Sequence, residues 1–437
     1  MSAIRLIALN DLDAGQRAAL TRRTQDDMSS YREAVLPIIE AVRERGDAAL
    51  AEFAKRFDRA DVAADAIAAA PGEFDRAEAR LDGDLKHAMR EAAANIRRFH
   101  ETQMPERLAM VEMAPGIRAG DRTLPIPSVA AYVPRGKGAF PSVALMTTIP
   151  AVVAGVGEII VLTPPTPDGG IDDATLFACR LAGVSKVYRC GGAQAVAAAA
   201  YGTRTVPKVS KFLGPGSPWV VAAMQVLSDV IDVGPPAGPS ESIVLAEGGS
   251  NARNVALDLL NEAEHGPDSS AWLVTDDMGF AEAVRGEVET LLGRMGEERA
   301  GYARSVLSGD GGGLLVAPDM DAACAFCNDY APEHLMVHAA DPRAYLDRLT
   351  HAGEILLGGW SAISIANYVL GPNHVLPTTG WAKTRSALSV HDFLKRQTIA
   401  ELDRRGYEAL APLARVFARY EGFEAHANAV SELRETD

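Results

Sequence analysis

Cysteine is scarce in this chain. Four thiols in 437 residues, Cys179, Cys190, Cys324 and Cys327, cannot staple a fold of this size, so a disulfide framework is excluded and reduced thiols are expected. Cys324 and Cys327 form a C-x-x-C, but no second pair is spaced to complete a zinc site, and the apolar spacing of MDAACAFCNDYAP fits a helix that buries both. Basic residues are also short: Lys+Arg 43 against Asp+Glu 58 leaves a formal charge of -15. That balance repels phosphate backbones and anionic lipid, which excludes general nucleic-acid and membrane-surface binding. An uninterrupted apolar run is missing too. The longest uncharged stretch, AFPSVALMTTIPAVVAGVG over 139–157, is broken by prolines, threonines and glycines and is expected to be a buried segment. MSAIRLIALNDLDAGQ lacks the apolar core and cleavage site of a signal peptide, so a cytoplasmic location is expected.

What is present is apolar content of 48%, ample for the two or three cores that such a length calls for. Apolar residues recur at three- and four-residue spacing from about 27 to 103 and again in ELDRRGYEALAPLARVFARYEGFEAHANAVSELRE, so both ends read as helical. Between them lie the short runs EIIVLTPP, KVYRC, SIVLAE, SAWLVTDD, GLLVAPD, HLMVHA and EILLGG, separated by helical periods. That is the rhythm of βα units around parallel sheets, and an α/β fold is expected. EIIVLTPPTPDGGIDDATLFACRLAG and AWLVTDDMGFAEAVRGEVETLLG repeat one plan of strand, acidic turn and helix, which suggests two related domains. The Gly/Pro-rich DVGPPAGPSES at 232–242 is the expected boundary.

Several clusters could carry chemistry. In NEAEHGPDSS, Glu262 and His265 stand three apart in what reads as a last helical turn, able to face one ion, while Glu264 points elsewhere. A carboxylate and an imidazole suit Zn²⁺, although a solvated helix end has the same sequence. In DYAPEHLMVH, Glu333 and His334 precede a strand; at a cleft they would supply two proton-transfer groups, on an open sheet edge they would mean little. His374 sits in the loop-like IANYVLGPNHVLPTTG, and Glu421 and His426 lie five apart in YEGFEAHANAV. No clean G-x-G-x-x-G follows a strand. Only CGGAQAVAAAAYG has the strand, glycine pair and helix that admit a dinucleotide, and GPSES fails the nucleophile-elbow pattern. The residues alone support an α/β metalloenzyme with a polar cleft.

Taken in order, AYVPRGKGAFPS, GGAQAVAA, VPKVSKFLGPGS, PAGPSE, AEHGPDS, PEHL, GPNHVLPT, SVHDFLKR and EAHANAV resemble the histidinol dehydrogenase family across nearly the whole chain. The resemblance implies two related Rossmann-like α/β domains with parallel sheets and helical terminal segments. It divides the chain into an N-terminal segment 1–26, a metal and substrate domain from 27–131 with 240–384, an NAD domain 132–239, and a C-terminal helical dimerisation segment 385–437. It also implies a homodimer with shared active sites, a zinc ion, and NAD as acceptor in oxidising L-histidinol through the aldehyde to the carboxylate. His334 would deprotonate the alcohol and Glu333 would activate water. Ser142, Ser240 and His374 match substrate contacts, Glu421 would come from the partner, and Tyr132 and Gln194 match cofactor contacts.

The implied metal ligands are residues 262, 265, 367 and 426, and here the chain departs from the family. Glu262 stands where the family has glutamine and Asn367 where it has aspartate, while His265 and His426 are unchanged. The exchange preserves formal ligand charge but moves its position, a relocation worth roughly 1 to 4 kcal/mol to a nearby cation. Ser217 replaces the usual cofactor-facing asparagine, and VGPPAGPSES is about two residues longer than the family pattern. These differences keep open a paralogue that oxidises another amino alcohol or a sulfonated diol, and a silent metal- or nucleotide-binding homologue.

Overall fold

The computed structural model describes residues 3–22, 28–135, 138–235 and 238–435. Residues 136–137 of AYVPRGKGAFPS and 236–237 of the expected boundary passage lie outside the described residues. The strands are β1 (Leu6–Ala8), β2 (Leu108–Ala114), β3 (Ile117–Pro125), β4 (Ser128–Tyr132), β5 (Glu158–Thr163), β6 (Val187–Arg189), β7 (Lys211–Leu213), β8 (Asp232–Val233), β9 (Glu241–Ala246), β10 (Ser270–Thr275), β11 (Gly312–Val316), β12 (His334–His338), β13 (Glu354–Leu357) and β14 (Leu394–Leu402). The chain forms two compact units, one from Met1–Gln103 with Pro127–Phe393, the other from Met104–Ile126 with Leu394–Asp437.

The first unit holds two parallel sheets, as the β-branched runs between helical periods predict. The larger has the order β1-β11-β10-β9-β12-β13, parallel at every pairing. Strands β9 to β12 are buried along their whole length because helices cover both faces. Val244 and Met336 pack on one face with Leu259, Leu260 and Ala263. Their neighbours Ile243, Leu245, Leu335 and Val337 point to the other face, among Phe326, Tyr330 and the buried thiols Cys324 and Cys327. The smaller sheet has the order β6-β5-β4-β7-β8, again parallel. Its strand order reverses between β4 and β7, the kind of switch point at whose carboxyl ends open α/β sheets bind ligands. The 139–157 stretch becomes the helix Pro141–Ala154, almost wholly buried. Among the described residues no helix is long and apolar enough to cross a membrane.

The second unit is an antiparallel sheet, β14-β3-β2, followed by helices Arg404–Tyr420 and Glu424–Ala429. Its C-terminal part therefore opens on a strand where helix is expected. LKRQTIAEL carries no strong β signal of its own. It becomes a strand because it pairs residue for residue with β3, from Leu394↔Pro125 to Leu402↔Ile117, a partner far away in sequence.

Candidate active site

The helix Ala252–Ala263 follows β9 and returns toward the sheet's amino edge. Asn251 caps it by accepting from the Asn254 N–H. On its inner face Asp258 Oδ2 lies 3.0 Å from His338 Nε2, and one turn later Glu262 is fully buried. The helix ends at Ala263, so His265 stands in the turn beyond it, not in the last helical turn. The three-residue spacing still pairs them: His265 Nδ1 is 3.0 Å from Glu262 Oε2 and 2.9 Å from Ser240 Oγ. Asn367 Nδ2 approaches Glu262 Oε1 at 3.3 Å from the helix Ile363–Tyr368. Burial opposes the Glu262 charge, but the His265 charge overcomes it and holds the carboxyl well below its ordinary range. His265 is correspondingly raised, burial working against the gain.

Glu333 and His334 enter β12 directly after Ala331, which takes a left-handed φ of 53°, and Pro332. Register sets His334 beside Glu354 of β13, and its Nδ1 lies 3.0 Å from Glu354 Oε2. A carboxylate only accepts, so Nδ1 carries the proton and Nε2 is the working nitrogen. Glu333 Oε1 is 3.9 Å from that Nε2, and its Oε2 accepts from the Glu241 N–H at 3.1 Å. Burial pushes Glu333 up to about 8, with His334 pulling the other way. For His334 burial disfavours the cation, but the Glu354 bond wins and raises it to about 9. The His374 Nδ1–H donates to the Asn367 carbonyl at 2.6 Å, which leaves Nε2 buried as an unpartnered lone pair. Burial lowers His374 to about 4.

These groups gather at the amino edge of the larger sheet, since Ser240, Glu241, Glu333, His334 and Glu354 all stand at strand starts. A family model described as histidinol dehydrogenase matches residues 21–434. The chain belongs to the histidinol dehydrogenase family. A histidinol dehydrogenase homolog of Colwellia psychrerythraea is 51% identical over 99% of this chain and 97% of its own. A histidinol dehydrogenase of Synechocystis is 44% identical over 98% of both chains. The crystal structure of histidinol dehydrogenase from Elizabethkingia anophelis matches with a TM-score of 0.93 at 32% identity, covering 98% of each chain. The protein is thus an oxidoreductase of the histidinol dehydrogenase type with a mixed α/β fold.

The remaining family positions divide between the two units. Asn373 donates to the Met146 carbonyl at 2.6 Å, which pins the His374 loop one helical turn from Ser142 in the first turn of Pro141–Ala154. Tyr132 ends β4, and its Oη accepts from the Gly192 N–H at 3.1 Å. Gln194 folds back against Gly192 on the helix Gly192–Tyr201, and Ser217 caps the helix Pro218–Val226 without a side-chain bond. All three stand at the carboxyl edge of the smaller sheet. Glu421 and His426 lie in the second unit, both exposed, the His426 ring 5.1 Å from that of Phe423. The first unit therefore brings together three of the four expected metal residues. Among the described residues no three His, Cys, Asp or Glu side chains are grouped as a metal site; Glu262 and His265 make two, and the third expected ligand, Asn367, turns its amide nitrogen toward Glu262. Glu354 and Glu241 escape sequence reasoning, because their roles depend on strand register.

Proposed function

We propose that this chain oxidises a polar primary alcohol through the aldehyde to the carboxylate, zinc-dependent and NAD-linked, with a cationic amino alcohol of the L-histidinol type as substrate. The observation that carries this reading is a buried imidazole held by Glu354 beside Glu333, within reach of the Glu262, His265 and Asn367 donors. The donor set suits a divalent ion. Glu262 is fully buried, with His265 Nδ1 3.0 Å from its Oε2 and Asn367 Nδ2 3.3 Å from its Oε1, near the spacing of donors that share one tetrahedral ion at about 2 Å. Turning the Asn367 amide presents its oxygen, and His426 of the partner subunit would complete four donors.

Zinc there would supply Lewis acidity toward the substrate oxygen, and NAD would take the hydride. His334 Nε2 takes the alcohol proton, while Glu354 fixes its tautomer and stabilises the imidazolium. Glu333, raised into the neutral range by burial, draws a proton from the water that attacks the aldehyde. Ser142, Ser240 and His374 hold substrate, with Glu421 of the partner subunit. The His374 lone pair asks for a donor, and the carboxylates of Glu241, Glu262, Glu333 and Glu354 favour a cation. Both features suit an amine. The smaller sheet takes NAD through Tyr132, Gln194 and Ser217.

A homodimer fits the second unit. The helix Arg404–Tyr420 exposes Leu413, Val416, Phe417 and Tyr420 along one side, and the exposed Glu421 and His426 come directly after it in sequence. The relocated charge at Glu262 supports a second reading, in which another polar alcohol, for example another amino alcohol or a sulfonated diol, takes the place of histidinol. NADH absorbance with zinc-loaded protein separates the two. Two NADH per histidinol support the first, turnover of other amino alcohols or sulfonated diols alone supports the second, and no turnover of any alcohol by metal-loaded protein overturns both.

A further inference from the structure

The helix after β6 begins at Gly192, but its first N–H is already taken by the Tyr132 hydroxyl. A pyrophosphate therefore finds that helix start partly occupied from within. Two other polar groups at the same end of the smaller sheet have no partner. Gln194 is 3% exposed, and its amide has no hydrogen-bond partner among the described residues. The second is Asp58, whose Oδ2 is buried with none.

Asp58 is put there by unusual backbone. Ala54–Asp58 forms a single π-helical turn, and Arg59 closes it at a φ of 57°, a left-handed conformation that costs a side-chain-bearing residue about 1 kcal/mol or more. The chain then packs Ala60 into the core that contains Tyr132, Cys190 and Ala193 and runs along β6, where Ala69 N–H donates to the Val187 carbonyl. The carboxylate thus faces the carboxyl ends of β4 and β6, and its charge bears on both the Tyr132 hydroxyl and the Cys190 thiol. Nothing in the alcohol chemistry uses it.

We propose that Asp58 accepts the hydroxyls of a ribose in the bound dinucleotide, with the Gln194 amide as a second contact, and so selects NAD over its 2′-phosphorylated counterpart. This rests on the reading that the smaller sheet binds the dinucleotide. A ribose diol offers two donors to a carboxylate that lacks them, whereas a 2′-phosphate brings further negative charge to the same oxygen, where the charge of Arg135 already fails to outweigh burial.

The test is calorimetric titration of zinc-loaded, full-length protein with NAD⁺ and with NADP⁺, for wild type, Asp58→Asn and Asp58→Ser. Wild type is expected to prefer NAD⁺. Each variant should lose about tenfold or more in NAD⁺ affinity, the worth of a charge-assisted hydrogen bond, and lose none for NADP⁺. The ratio of the two dissociation constants then collapses toward one. Wild type that binds NAD⁺ together with variants that keep the wild-type ratio would overturn the role of Asp58 and leave the dinucleotide reading standing. Wild type that binds neither nucleotide overturns both. Thermal melts of the variants at or above wild type show that any lost affinity is not lost fold.

Discussion

His334 is held at one nitrogen and free at the other, and its chemistry depends on which. Glu354 raises its affinity for a proton, so Glu354→Gln lowers it. The base form then appears at lower pH: the acid limb of the kcat profile should move down, while kcat falls about a hundredfold because the ring loses its orientation. An unmoved limb would mean that Glu354 does not govern His334. Asp58 makes a contrasting case. Burial raises its folded pKa from 3.8 to about 6, with Arg135 opposing. The folded state therefore keeps the proton longer than the unfolded chain, and stability is lost as pH climbs through that window. Asp58→Asn should melt higher than wild type at pH above this range and equal it below, in scans without nucleotide. Equal melting temperatures at high pH would show that the ionised Asp58 carries no folding cost.

At the scale of elements, one helix and one strand align two pairs of side chains. Helix 252–263 lays Asp258 against His338 and Glu262 near the start of the same strand, so the first pair sets the height of the second. Asp258→Ala leaves a buried imidazole alone, and should cost about 3 kcal/mol in denaturant unfolding and weaken zinc retention in dialysis. Full metal content in that variant would separate the two pairs. Strand β13 is placed as tightly, because a Cβ on Gly353 would meet the Glu333 carbonyl at 2.6 Å. The seven β-branched runs that sequence picks out all become strands, and Glu262 with His265 and Glu333 with His334 are legible as local pairs. Strand β14 and the Glu354 partnership are not, since each arises from register with a chemically ordinary segment far away. The helix end is misread by two residues: Gly266 and Pro267 mark where the turn stops, not where the hydrogen-bond ladder does.

For the whole molecule, the dimer reading makes the assay one of mixtures. If each active centre takes His334 from one copy and His426 from the other, inactive His334→Ala and inactive His426→Ala proteins should regain activity when refolded together, up to about a quarter of wild type. No recovery after verified exchange would confine the centre to one chain. The zinc shell has its own cycle: Glu262→Gln should lose metal, and adding Asn367→Asp should restore it, read by elemental analysis. Losses that simply add would mean that the two side chains do not serve one ion. The second unit has a lasting consequence for any trimmed descendant of this chain. Its middle strand, β3, is flanked by β2 on one side and by the C-terminal β14 on the other. Shortening the protein before residue 394 would not yield a tidy, soluble half-enzyme. It would bare nine residues of β3 backbone along their full length, an adhesive border that invites filaments and precipitation.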